Sequence, residues 1–433
     1  MLHPLLKVIK APSLVLASLL LATACATAPA RPPVQVGSGD PRVDPMTGGE
    51  QTNPDSGVEV GEVDPLEPAH DSHAGAVTPS FMADRDVTRA AVLLPFSHPN
   101  ARVRSEAEAM LAGIELALFE YAGDDFLIIP KDTAGKPSVA EARADEARSE
   151  GADIVLGPLF GANVKPVREV LNQDNIPIIA FSNDRSAAGG GAYLSSVLPE
   201  EEVRRVMQYA ASKGVQSYAF LGPNNDYGRQ VEAAMRFEAS RTGGEMIGSR
   251  FYDSSNGASA EARDIASIVK AASARAPGRV AVMIPERGIS LLSVAPLLPY
   301  NGVDLRRIKL LGTSLWNDES VWREPTLQGG LFASTDPEMK EAFIADYRRI
   351  YGRAPSDLAS SAYDAAALSI LLAGDDNLRY NGVTNPDGFM GVNGLFRFRI
   401  DGTSERGLAV SEIRASGAEV VEKGPVEFSV GGS

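Results

Sequence analysis

The stretch from Ala152 to Asp184, ADIVLGPLFGANVKPVREVLNQDNIPIIAFSND, contains two short apolar runs, each stopped by loop-forming residues. Ile154, Val155 and Leu156 end at Gly157-Pro158, and Ile176 to Phe181 ends at Ser182, Asn183 and Asp184. Runs of this length between turn residues predict fully buried strands. Between them Val164, Val167, Val170 and Leu171 recur at helical spacing, so the unit predicts strand, helix, strand with the two strands parallel and covered on both faces. In such sheets ligands meet the carboxyl ends of the strands, where helix N-termini present unpaired N–H groups. The polar residues of this stretch sit at those ends.

Outward from this unit the same alternation continues. Expected strands are Ala90 to Leu94, Phe126 to Ile129, Tyr218 to Leu221, Glu245 to Phe251, Val280 to Ile284 and Lys309 to Leu311. Helical spacing fills the intervals, as in Val103 to Tyr121, Ser138 to Glu150, Tyr227 to Arg241 and Ser259 to Ala274. Successive βα units of this number predict an α/β protein of two doubly wound parallel-sheet lobes. Two further helices, Pro337 to Tyr351 and Ser356 to Leu372, break the alternation, and expected antiparallel strands follow around the Asp401-Gly402 and Ser416-Gly417 turns. A chain that returns across both lobes gives a multi-strand hinge, restricting their motion to opening and closing. Lobe 1 is expected at about 86–197 and 332–375, and lobe 2 at about 198–331 and 385–424, with 425–433 as a tail.

The first residues read differently. Lys7 and Lys10 precede a short apolar core from Ala11 to Ala22, too short to span a bilayer, and Ala22-Thr23-Ala24 stands directly before the only cysteine, Cys25. Residues 1–24 therefore read as an export signal. A site of the Ala-x-Ala kind would leave Cys25 unmodified, whereas small residues before a solitary cysteine resemble the lipobox of bacterial lipoproteins, which implies lipidation of Cys25. Ala26 in place of the aspartate that marks inner-membrane retention implies the inner face of the outer membrane. Residues 25–85 are rich in Pro, Gly, Ser and Asp with little apolar clustering and read as a disordered tether, whose root-mean-square reach is on the order of 40 Å. His70 and His73 fall within it and are read as linker residues rather than metal ligands.

Charge limits the partners. The net charge is −15, and loss of residues 1–24, which carry two lysines and no acid, makes it two more negative. Nucleic acid is excluded as a partner, and membrane contact is expected through the lipid anchor only. No Gly-x-Ser-x-Gly elbow, His-Glu-x-x-His or Walker loop occurs, and outside the signal and tether only His98 is left as a histidine base. The chain reads as non-enzymatic, with no cofactor and no metal. Gly189-Gly190-Gly191 reads as a mobile loop rather than a phosphate cradle.

The candidate ligand contacts lie at strand ends. In lobe 1 they are Ser97, the Gly161-Ala162-Asn163 turn, and Ser182-Asn183, whose N–H groups and hydroxyls could hold a carboxylate without a cation. In lobe 2, Asp226-Tyr227-Gly228 opens a helix, with Asp226 read as its N-cap and Tyr227 as a stacking or hydrogen-bonding group. Glu286-Arg287 and Trp316-Asn317 end two more strands, and Asp364 follows Tyr363 near the hinge. An exposed Trp316 would be the best anchor for a ligand or a protein. Each of these residues equally suits a turn or an interlobe contact.

The order of elements from about Thr88 to Gly424 resembles the type I periplasmic-binding fold of the leucine/isoleucine/valine-binding proteins. Gly157-Pro158-Leu159, Ile176 to Ala180, Asn183, the Gly391-Val392-Asn393-Gly394 turn, Phe396 to Phe398 and Asp401-Gly402 are similar to the lipoprotein activators of penicillin-binding proteins. That resemblance implies a regulator of peptidoglycan synthesis whose partner is a penicillin-binding protein. The alternative is a solute-binding protein that presents an amino acid or related small polar ligand to an importer. In the amino-acid-binding relatives the loop matching Phe160 to Asn163 resembles a serine-rich cluster, and here it reads Phe-Gly-Ala-Asn.

Overall fold

A computed structural model describes residues 78–253 and 256–428, together with the backbone of His3–Pro4 (β1). The signal, Cys25, His70, His73 and nearly all of the expected tether lie outside the described residues. In chain order the first lobe begins with β2 (Thr88–Leu94), α1 (Ala101–Tyr121), β3 (Phe126–Asp132), α2 (Pro137–Ser149), β4 (Ile154–Leu156), α3 (Gly161–Leu171), β5 (Ile178–Ala180) and β6 (Ala192–Leu194). The five strands are parallel in the order β3-β2-β4-β5-β6, with Ala90 opposite Ile154 and Leu156 opposite Ile179. Alternation along β2 explains why both faces are covered. Ala91 and Leu93 pack with Ala140, Ala144, Val164 and Val167 of α2 and α3, whereas Ala90, Val92 and Leu94 pack with α1.

The second lobe runs through α4 (Pro199–Ser212), β7 (Ser217–Pro223), α5 (Asp226–Arg241), β8 (Glu245–Tyr252), α6 (Ser259–Arg275), β9 (Val280–Met283), α7 (Gly288–Val294), α8 (Leu297–Tyr300), β10 (Ile308–Gly312) and β11 (Leu331–Ser334). The chain then returns to the first lobe with α9 (Pro337–Tyr351), α10 (Asp357–Gly374), α11 (Tyr380–Val383), β12 (Phe389–Gly391), β13 (Gly394–Phe398) and β14 (Ser404–Arg406), and ends in β15 (Ala409–Arg414) and β16 (Gly417–Glu422). The lobe 2 sheet has the order β16-β15-β11-β10-β9-β7-β8, parallel except at β15 and β16.

One boundary differs from the sequence expectation. Residues 389–406 pack on lobe 1, because Phe389, Phe396 and Phe398 share the core of α1 and α10, and only β15 and β16 join lobe 2. The contact is close because its helices carry small residues: a Cβ on Gly113 of α1 would lie 2.3 Å from the carbonyl oxygen of Ala359 on α10. The chain passes between the lobes near Ser195–Leu198, Thr335–Asp336 and Gly407–Leu408. Beside these crossings, Arg204 of α4 lies within ion-pair reach of Glu201 and of Glu405 on β14, which also takes Arg397 at 2.8 Å.

Gly189-Gly190-Gly191, expected as a loop, forms a tight turn into β6. All three have positive φ (93°, 57° and 85°), and the Gly189 N–H donates to the Ala192 carbonyl at 2.9 Å. Glycine is required there for backbone shape.

Candidate functional site

Strand order selects the loops that share a crevice. In lobe 1 the order reverses between β2 and β4, and in lobe 2 between β7 and β9. Loops on either side of such a reversal diverge to opposite faces and leave a crevice at the strand carboxyl ends. At the first reversal lie Ser97 and Gly161 to Asn163. At the second lie Tyr227, Glu286 and Arg287.

The lobe 1 crevice is built on backbone held by carboxylates. Asp132, at the end of β3, accepts from the N–H groups of Ser97 (3.1 Å) and Ala134 (2.9 Å). Burial acts to raise this acid, but hydrogen bonds from Ser97 and Ala134 outweigh it and hold Asp132 below the usual carboxylate range. Ser97 itself is exposed. Phe160 lies against His98, ring centroids 5.6 Å apart, and supplies no side-chain cap to α3. The turn can approach its neighbour because residue 161 is glycine: a Cβ there would fall 2.9 Å from Asp184 and 3.0 Å from the Ser182 hydroxyl. Ser182 is buried and its Oγ accepts from the Asp184 N–H at 3.0 Å, while Ala162 and Asn183 face solvent. Asn163 is 1% exposed, yet neither its Oδ1 nor its Nδ2 has a hydrogen-bond partner among the described residues. A buried amide left so costs roughly 1–3 kcal/mol per unsatisfied group, so the position calls for water or ligand.

The lobe 2 crevice carries acids and hydroxyls. The helix N-cap is Asn225, whose side chain accepts from Gly228, and Asp226 pairs instead with Arg229 at 2.6 Å; this corrects the reading of Asp226 as the cap. Tyr227 is half-buried, with its hydroxyl 2.8 Å from Thr313 Oγ1, and burial pushes its phenol well up, aided by the nearby Glu202 charge. Glu286 accepts from the Tyr252 hydroxyl, and Arg287 is exposed. Behind Tyr227, Glu202 of α4 accepts from the Ser314 N–H at 3.3 Å. Burial pushes Glu202 up to about 8; Asp357 of lobe 1 adds to the rise and Ser314 opposes it. Asp357 is itself paired with Lys340 at 2.6 Å.

Two expected contacts are not in either crevice. Trp316 is wholly buried; its indole N–H donates to the Ile284 carbonyl at 3.0 Å, and its ring occupies the space a Cβ on Gly312 would need, 2.2 Å away. A core tryptophan cannot anchor a ligand or a partner. Asp364 is also buried, accepting from Val392 N–H (2.8 Å), Asn393 N–H (3.1 Å) and Asn393 Nδ2 (2.7 Å). It fastens the β12–β13 turn onto α10 beside the buried Arg406 cation; burial raises Asp364 and lowers Arg406, each partly offset by the other. Sequence reasoning missed Glu202, Thr313, Ser314 and Asp184. Thr313 and Ser314 follow β10 as Tyr227 follows β7, a signal that was present; Glu202 is one of three successive glutamates and carried none.

A family model described as periplasmic binding protein matches residues 88–374, well over half of the chain. The chain belongs to the periplasmic binding protein family. Solved structures agree on the fold at low identity. A branched-chain amino acid ABC transporter periplasmic ligand-binding protein from Burkholderia xenovorans has TM-score 0.64 and 16% identity, covering 78% of this chain and 96% of its own. A leucine-binding protein from Thermotoga maritima has TM-score 0.55 and 16% identity, covering 77% and 97%. A solute-binding protein from R. palustris in complex with benzoate has TM-score 0.55 and 15% identity, covering 79% and 98%. No curated protein matches.

Proposed function

We propose that the chain is a non-enzymatic solute-binding protein whose lobes close on a small amino-acid-like zwitterion. The observation that carries this reading is the complementarity of the two crevices. Lobe 1 offers donors at the start of α3 and at Asn163 and Ser182, while lobe 2 offers the Glu286 carboxylate beside Tyr227. A ligand carboxylate belongs on the α3 N–H groups and an ammonium belongs on Glu286. With glycine and alanine at 161 and 162, the carboxylate is held by backbone rather than hydroxyls. The relatives named for leucine and seen with benzoate bind a carboxylate in each case, which supports an acid-bearing ligand. Cys25 is the lipid anchor and residues 25–85 the tether that holds the domain in the periplasm, off the outer membrane.

The test is titration calorimetry with the amino acids and benzoate, alongside thermal shift. A ligand at about 100 times its Kd stabilises the fold by roughly 2.7 kcal/mol, a readable shift. Glu286→Gln is expected to weaken an amino acid by about ten- to a hundredfold. A flat screen overturns the reading.

A second reading, an activator lipoprotein that contacts a penicillin-binding protein, is supported by the Gly391 to Gly394 turn that carries that resemblance. Asp364 fixes this turn with three hydrogen bonds. A pull-down of a penicillin-binding protein with an increased polymerising rate would establish it, and its absence would leave the solute-binding reading alone.

A further inference from the structure

At the opposite ends of the lobe 2 strands lies a cavity of about 310 Å³, within the range of ligand pockets. Its roof is the last turn of α4, with Tyr209 and Lys213. Its floor is Val215 before β7, Lys309 on β10, and Leu331 of β11 opposite Glu412 of β15. These residues stand at the amino ends of strands whose carboxyl ends carry Tyr227 and Thr313, so the cavity is separated from the crevice by roughly 15 Å of sheet.

Its charges are unbalanced. Among the described residues no carboxylate lies within 4.0 Å of Lys213 or Lys309. Lys213 Nζ sits 5.0 Å over the Tyr209 ring, and Lys309 Nζ reaches only the Gly329 carbonyl at 3.4 Å. Glu412, the single acid of the lining, is engaged by Arg414 at 3.2 Å. Two ammonium groups against one carboxylate leave room for one further negative charge, in a protein whose net charge of −15 repels polyanions. The Tyr209 ring, Val215 and Leu331 supply an apolar wall beside those cations.

We infer that this cavity is a second ligand site, distinct from the interlobe crevice, for a monocarboxylate with a short aromatic or branched apolar body. Lys213 and Lys309 receive the carboxylate, and Tyr209 with Leu331 receives the body.

Fluorine NMR with para-fluorobenzoate as the probe, titrated against the full chain, tests it. Saturable broadening with a Kd on the order of 1 mM or tighter is expected. Lys213→Gln with Lys309→Gln weakens it at least about tenfold, and Lys213→Arg with Lys309→Arg keeps it within about threefold. No saturation by about 10 mM overturns the site, as does an arginine pair as weak as the glutamine pair. A saturable signal that the glutamine pair keeps also overturns it, because the probe then binds without the two lysines. A lysine-dependent signal together with a flat amino-acid screen sustains the cavity and removes the crevice reading, so the two failures are distinguishable. The arginine pair keeps the charge and bulk of the wild type and guards against loss of folding.

Discussion

Replacing Glu202 by Gln should change how the stability of lobe 2 responds to pH. Glu202 is 4% exposed, and burial carries its acid from an ordinary 4.5 to about 8. It stands in the first turn of α4, where the helix dipole favours the ionised form by about 0.3–1 kcal/mol, a smaller effect than burial. The sign follows from proton binding. Below pH 4.5 both folded and unfolded chains hold the proton, and the group has no effect on stability. Between 4.5 and 8 the unfolded chain releases it and the folded chain does not, so the folded state loses about 1.4 kcal/mol for each pH unit; above 8 the loss levels off. At pH 7 the accumulated penalty is on the order of 3 kcal/mol. Gln keeps an oxygen to accept from Ser314 and cannot ionise. Both tryptophans, Trp316 and Trp322, belong to lobe 2, so their fluorescence during urea unfolding reports that lobe alone. The variant should gain on the wild type steadily from pH 5 to pH 8, by about 3–4 kcal/mol. Parallel profiles across that range would refute the reasoning, because every other titrating group is common to both proteins.

The core tryptophan and the buried pair give further expectations. Trp316→Ala should cost lobe 2 about 3–5 kcal/mol, read from Trp322 fluorescence, and an unchanged urea midpoint would contradict its burial. Gly312→Ala places a methyl into the same ring and should cost at least about 1–3 kcal/mol by the same measurement. Asp364→Ala should cost about 3–5 kcal/mol in thermal unfolding, because it strands three donors of the β12–β13 turn and leaves Arg406 buried without its counter-charge; adding Arg406→Met should recover the charge part alone, and strictly additive losses would show that the two charges are not coupled.

Much of the architecture was legible because buried strands have a local signature. The runs at 90–94, 154–156 and 178–180 are apolar on both faces and bounded by Gly, Pro or polar residues, and each is a central parallel strand. What escaped was decided by contacts between residues far apart in sequence. Phe389, Phe396 and Phe398 alternate as any half-buried strand would, and nothing local states that the core they enter is that of α1 rather than of lobe 2. Trp316 and Tyr227 look alike on paper, each a few residues past a strand. Trp316 turns inward because Gly312 leaves the strand bare beneath its ring, whereas Tyr227 is stopped half-buried by the Thr313 hydroxyl.

The crevice residues illustrate the same division at the level of function. Residue types marked every strand end as a candidate, with Ser97, Asn163, Ser182, Tyr227 and Arg287 of equal weight to Trp316 and Asp364. Strand order removes that degeneracy. With β4 beside β2 on the side away from β3, and β9 beside β7 on the side away from β8, the loops after those strands open onto a crevice, flanked by Ser182 after β5 and Thr313 after β10. Asp364 is excluded by its place inside α10, and Trp316, after β10, by being wholly buried. The same order brings forward Glu286, directly after β9, as the acid a zwitterion would meet. Its held geometry, fixed by the Tyr252 hydroxyl, is the reason Glu286→Gln is the most discriminating substitution in the crevice.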